Sequence, residues 1–316
     1  MTKLGIMICG HGSRDIEAIH EFNQLVSDLK PKLTSYHVAS GFLEFAKPII
    51  KEGLDVLKEK GVKRILAIPA MLFAAGHAKN DIPSVLNNYK HLNSNLTIDY
   101  ARELAVTLKL LKVSSERITE AENCSTKKID RQNTLLLVVG RGTSDPDANS
   151  NVSKITRMLW EGMQFGWAET AYSGVTYPLI GDALKRIVSL GYQRIIVFPY
   201  FLFTGVLVKR IYQAVDEISH HYPEIDFVKA PYLNNHPLVL ETFIDRIQEI
   251  IEGHNLMNCS LCKYREQVIG FEHEVGTPQV GHHHHVEGIG HDHHHNHDHH
   301  HNHEHFHVHH THGPKK

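Results

Sequence analysis

Three loops of this 316-residue chain carry side chains able to handle a metal ion and protons together. They are GHGSRD at 10–15, with His11, FLEFAKP at 42–48, with Glu44, and LFAAGHAKND at 72–81, with His77. A neutral imidazole ligates borderline divalent metals, and its ordinary pKa of about 6.5 lets it take up a proton near neutrality. A carboxylate beside the two imidazoles offsets the cation's charge or passes protons outward. Other chemistries fit less well. The Gly-x-Gly of GHG suits an anion at a helix N-terminus, but it lacks the third glycine and the downstream acid of a dinucleotide fingerprint. Gly10 stands where a histidine phosphatase would have arginine.

The first loop occurs twice, its histidine once. GIMICGHGSRD at 5–15 is nearly repeated as LLLVVGRGTSD at 135–145, with Arg141 in place of His11. A shift of 130 residues also aligns Pro48 with Pro178, Gly61 with Gly191, IPAMLF at 68–73 with FPYFLF at 198–203, and Lys79 with Lys209. A constant shift over some seventy residues indicates a tandem repeat of one domain. Leu207 falls opposite His77. Near Glu44 the alignment slips by about three residues, which leaves Gly174 and Tyr177 as alternative counterparts.

The elements that must position these side chains follow from the pattern of each copy. A short apolar run (LGIMIC, LLLVV) ends in a glycine-rich loop and then a helical stretch. A second run (HVASGFL, TAYSGV) leads to a proline suited to the first turn of a helix, and that helix closes on a glycine. A third run (RILAIPAMLF, RIIVFPYFLF) is continuously apolar, as a strand covered on both faces should be. A fourth follows near LTIDYA and FVKAPYL. Strands alternating with helices predict an α/β fold with parallel sheets and right-handed crossovers. The expected domains are 1–125, carrying the metal site, and 130–255, forming the opposite wall of a cleft. A CxxC extension at 256–281 and a tail at 282–316 follow. Ligands of such sheets sit at the carboxyl ends of the strands, where His11, Glu44 and His77 all fall.

Composition narrows the function. Net charge is −2 with histidine neutral, so no basic field invites nucleic acid. The opening apolar run, Leu4 to Cys9, is six residues long, too short for a signal core. The longest, at 195–208, is too short to span a bilayer and contains Pro199 and Gly205. A cytoplasmic protein without a membrane partner is expected. Four cysteines in so long a chain do not suggest a disulfide framework.

GHGSR after the first strand, FLEFAKP, and LFAAGHAKNDIP after the third together resemble the class II chelatases, over about residues 3–255. Within that family the likeness is to the long, internally duplicated enzymes that act on sirohydrochlorin with cobalt. The resemblance implies two flavodoxin-like (Rossmann-like) domains with a tetrapyrrole between them. It implies a lyase that places Co²⁺ into sirohydrochlorin with release of two protons, on the way to cobalamin. It further implies that His11 and His77 bind the metal and that His11 takes pyrrole protons. Glu44 and the loop Leu72, Phe73, Ala74, Ala75, Gly76 and His77 would line the substrate site. Arg141 suits a carboxylate of the ring, and Arg14, Lys79 and Lys209 lie in loops where they too would meet carboxylates. The alternatives are insertion of Fe²⁺ into the same ring for siroheme and, from another class, a nickel or cobalt metallochaperone or metal store.

From His282 onward, 18 of 35 residues are histidine and no run exceeds four, whereas an expression tag is typically six in a row. Such a tract cannot build a core and is expected to be disordered. It binds Cu²⁺, Ni²⁺ and Zn²⁺ in preference to Co²⁺, so it would store metal without selecting it. Cys259 and Cys262 fill half of a zinc or iron–sulfur site. His254, His273 or Cys124, or a second subunit in a homodimer, would supply the remainder, and the resemblance to cluster-bearing long forms favours iron–sulfur.

Overall fold

The computed structural model describes residues 4–255, 262–266 and 268–276. Cys259 and the histidine-rich tail lie outside them. The first half runs β1 (Gly5–Gly10), α1 (Ile16–Leu29), β2 (His37–Phe42), α2 (Ile50–Glu59), β3 (Arg64–Pro69), α3 (Ile82–Leu92), β4 (Thr97–Tyr100) and α4 (Leu108–Cys124). The second half repeats it with β5 (Thr134–Gly140), α5 (Pro146–Met163), β6 (Trp167–Tyr172), α6 (Ile180–Ile187), β7 (Arg194–Pro199), α7 (Val206–His221), β8 (Asp226–Lys229) and α8 (Pro237–Glu252). The sheets are wholly parallel, in the orders β2-β1-β3-β4 and β6-β5-β7-β8. This is the expected duplicated flavodoxin-like α/β fold. In each sheet the order reverses between the first and third strands, so the loops after β1 and β3 flank the crevice where such sheets take ligands.

Strand alternation divides the core. Ile6, Ile8, Leu66 and Ile68 point from the first sheet into a cluster shared with Leu136, Val138, Ile196 and Phe198 of the second. Met7, Cys9, Ile65 and Ala67 point the other way, with the leucines of α2, and Leu135, Leu137 and Val139 do likewise in the second half. The last helix of each half crosses over: α4 packs on α8, α5, β7 and β8, and α8 reaches β3 and α1. Arg102 binds Glu249 through two nitrogens at 2.9 and 3.0 Å, and Lys109 binds Asp245 at 2.8 Å, tying that exchange down.

Pro48 and Pro178 differ from expectation. Both peptides are cis, and each proline precedes the first helical residue by two positions. The Pro48 carbonyl accepts from Phe42 N at 2.8 Å and that of Pro178 from Tyr172 N at 2.9 Å, extending the sheet before the helix begins.

Candidate metal centre

The loop after β1 is zipped to the loop after β2. Leu43 N donates to Gly10 O at 2.8 Å, and Glu44 N donates to His11 O at 3.0 Å, so strand pairing continues past the sheet and delivers Glu44 beside His11. Gly12 makes this approach possible. Its φ is +96°, and a Cβ there would stand 1.7 Å from the Glu44 carbonyl oxygen. Gly142 stands in the same relation to Gly174, with 1.9 Å to its carbonyl oxygen. Phe45 and Val175, the residues that follow, share a positive φ. The counterpart of Glu44 is therefore Gly174, and the shift of 130 holds through this loop.

His77 comes from the other side of β1. The loop after β3 is anchored by Ala70 N donating to Cys9 O at 2.8 Å and ends in a π-helical turn, His77–Asp81. Such turns are rare and concentrate at functional sites. This one places Asp81, which the sequence reading passed over, against the ring: His77 Nδ1 lies 2.7 Å from Asp81 Oδ2. Asn80 Nδ2 holds the other carboxylate oxygen at 2.9 Å, and Asp81 is buried. A histidine and an acid four apart on a helix was the available signal.

Hydrogen bonding sets both tautomers. His11 Nδ1 lies 2.9 Å from Gly12 O, so it carries the proton and donates; His77 Nδ1 donates to Asp81. Both Nε2 atoms then present lone pairs, and they face each other at 2.9 Å, with Glu44 Oε1 3.4 Å from His11 Nε2. Two facing lone pairs repel unless a cation or a proton stands between them. One ligand atom from each of His11, Glu44 and His77 falls within 4.8 Å of the others, and among the described residues this is the only such group of three. With metal–nitrogen bonds of about 2.1 Å, a nitrogen separation of 2.9 Å gives an N–metal–N angle of about 90°. That angle suits a six-coordinate or square-based ion with sites left open. Burial, then the charge of His77, brings the His11 pKa down to about 4, so the ring is a neutral ligand at pH 7.

The two imidazoles form one wall of a cavity of about 470 Å³ lined from both halves. Leu72, Phe73 and Ala75 line it with Phe22, Phe45, Tyr200, Phe203 and Leu207. Glu44, Ala74 and Gly76 are not among its lining residues. Phe73 stacks on Tyr200 across the cleft, 5.6 Å between centroids and 16° from parallel. Arg14, whose guanidinium lies 5.1 Å above the Phe45 ring, and the exposed Arg141 line the cavity.

Lys79 and Lys209, expected to meet substrate carboxylates, are engaged instead with the protein's own acids. Lys79 Nζ is 2.7 Å from Asp145 and 3.5 Å from Asp147, and Lys209 Nζ is 2.8 Å from both Asp15 and Glu17. Asp15 and Asp145 are the N-caps of α1 and α5, each spending one oxygen on the helix and the other on the opposite half's lysine. The Cys262 thiol is buried, and among the described residues it belongs to no group of three metal-ligating side chains. The described residues alone do not make a cluster site there.

Two pseudo-equivalent parallel-sheet lobes, with a single N,N,O donor set at the switch point of a shared apolar cleft, define a metal-handling protein of chelatase architecture. The chain belongs to the CbiX family, whose model matches residues 5–121 and again 135–250. It is 39% identical over 262 residues to the sirohydrochlorin cobaltochelatase of Priestia megaterium, covering 82% of this chain and 84% of that one. It is 29% identical over 232 residues to the sirohydrochlorin ferrochelatase of the same organism, covering 73% and 84%. The solved structure of SirB from Bacillus subtilis with Fe³⁺ superposes with a TM-score of 0.70 at 24% identity, over 80% of this chain and 98% of that one, and shares the fold.

Proposed function

We propose that the protein inserts Co²⁺ into sirohydrochlorin with release of two protons, in the route to cobalamin. The observation that carries this is the convergence of His11, Glu44 and His77 on one point at the cavity, in one lobe alone. The 39% identity with a cobaltochelatase, against 29% with a ferrochelatase, favours cobalt over iron.

The chain's residues divide the work. His11 Nε2, His77 Nε2 and Glu44 take Co²⁺ from its water shell as three oxygen ligands leave. The apolar walls, Phe22, Phe73, Tyr200 and Phe203 among them, fit the face of a flat macrocycle and exclude water. Arg141 and Arg14 offer charge to its carboxylates. As the ion passes from imidazole to the ring nitrogens, the vacated His11 Nε2 accepts each of the two displaced pyrrole protons in turn, handing on the first before it takes the second. A ring with a pKa of about 4 does not keep that proton at pH 7; Glu44, 3.4 Å away, is placed to pass it outward.

Three further readings belong to this proposal. The location is cytoplasmic; no helix among the described residues is long and apolar enough to cross a membrane. The Cys259–Cys262 pair binds zinc or an iron–sulfur cluster only when further ligands join it, which a homodimer would provide. The histidine-rich tail holds Ni²⁺, Zn²⁺ or Co²⁺ in reserve.

The test mixes purified protein, sirohydrochlorin and either Co²⁺ or Fe²⁺ anaerobically and follows the ring's absorbance. Cobalt insertion should outpace iron insertion and the enzyme-free rate. H11A and H77A should each fall close to the enzyme-free rate while keeping the metal bound by the tail. A metallochaperone would be untouched by either substitution.

A further inference from the structure

The family match ends at residue 250, yet beyond it the chain comes back beside Gly76, at the start of the turn that carries His77. In the described segment 262–266 and 268–276, Cys262 and Lys263 are buried. Lys263 Nζ binds Glu274 at 2.7 Å and stands 5.3 and 5.0 Å from the Tyr264 and Phe271 ring centres. Gly276 N donates to the Tyr264 carbonyl at 3.1 Å, closing the segment around that ring. The Tyr264 hydroxyl faces Gly76, the residue before His77: a Cβ built on Gly76 would have that oxygen 3.6 Å away, at ordinary van der Waals distance, and no other heavy atom within 4 Å apart from its chain neighbours and its own helix. Gly76 is in ordinary helical conformation, φ −45° and ψ −49°, so its backbone does not require glycine.

The other half supplies the contrast. Gly205, the counterpart of Gly76, has φ 147° and ψ −179°, and α7 starts directly after it without a π turn. A Cβ there would meet only Ala18, at 4.0 Å. The half that bears the segment is also the half with the π turn and the His77–Asp81 pair. Burial pushes the Tyr264 phenol up to about 12, and the nearby carboxylates of Glu274, Asp145 and Asp81 act in the same direction.

We propose that Tyr264, seated over Gly76 by the segment 262–266 and 268–276, is a positioning residue that limits movement of the π turn and so keeps His77 aimed at His11 and Glu44. This rests on the chelatase reading above for its kinetic arm only. In the full-length chain, Y264A should raise the KM for Co²⁺ about tenfold, the size typical of lost support behind a metal ligand. The KM for sirohydrochlorin should stay unchanged, with free Co²⁺ fixed by a metal buffer. Hydrogen exchange in the metal-free protein should accelerate at 76–81 and stay unchanged at 205–210. Y264F keeps the ring and loses only the oxygen facing Gly76; it should show the same split to a smaller degree, and it decides the matter if Y264A does not fold. An unchanged KM for Co²⁺, or equal rises for both substrates, overturns the proposal whatever the exchange shows. If the wild-type chain turns over neither metal, the chelatase reading fails instead, and exchange at 76–81 alone decides whether Tyr264 holds the turn.

Discussion

Asp81 decides what His77 can do. By accepting the hydrogen bond from Nδ1–H it fixes the proton there and leaves Nε2 as a lone pair directed at His11, and such acids commonly raise the basicity of the ring they hold. Replacing Asp81 with alanine should weaken Co²⁺ binding roughly 10–100-fold with little effect on macrocycle binding, measured as KM for each. His11 gives a pH prediction. Its folded pKa of about 4 lies below the unfolded value near 6.5, so the folded chain binds fewer protons there. That contribution to stability is complete above pH 6.5 and is lost as the pH falls toward 4. Denaturation midpoints of the metal-free protein should drop across this window, and H11N should flatten that part of the curve.

Among the elements, the paired loops after β1 and β2 matter most, since their backbones approach too closely for any side chain at Gly12. G12A should cost about 2–4 kcal/mol in chemical denaturation and abolish turnover, because Glu44 is pushed from its place. G142A meets the same obstacle at Gly174 in the half without donors, so it should lose similar stability with a smaller loss of turnover. The order of elements was legible beforehand, because apolar runs of strand length alternate with helical patterns ending in glycine. The π turn was not: HAKND reads as ordinary helix, and only the tertiary frame selects the wider turn. The proline of each second unit was likewise misplaced, since its role depends on a carbonyl that completes the sheet.

Across the whole molecule, the two cross-half lysine pairs occupy equivalent positions and differ in burial. The Lys79 and Asp145 side chains are 2% and 1% exposed, while Lys209 is 51% exposed. Burial works against the Lys79 ammonium, but the hydrogen bond and charge of Asp145, with Asp147, outweigh it and leave its pKa above the ordinary value. K79A, which strands a buried carboxylate, should therefore cost about 3–5 kcal/mol, and K209A, at a solvent-screened pair, far less. Urea denaturation of both variants checks this. Removal of the chain from His282 onward should lower turnover at limiting Co²⁺ and leave it unchanged at saturating Co²⁺; equal rates at limiting metal would exclude a supply role.

The residues themselves determined the duplication and the parallel α/β architecture and singled out His11, Glu44 and His77 as candidates, because periodicity and a fixed shift of 130 are properties of the chain. They did not determine that two imidazoles face each other through Nε2 at 2.9 Å, that Asp81 stands behind one of them, or that Lys79 is closed off from the cleft by Asp145. Those depend on which atoms meet when β1 lies between β2 and β3 and the halves exchange their last helices. Donor identity is local in the chain; lone-pair direction and charge pairing are set by distance in space.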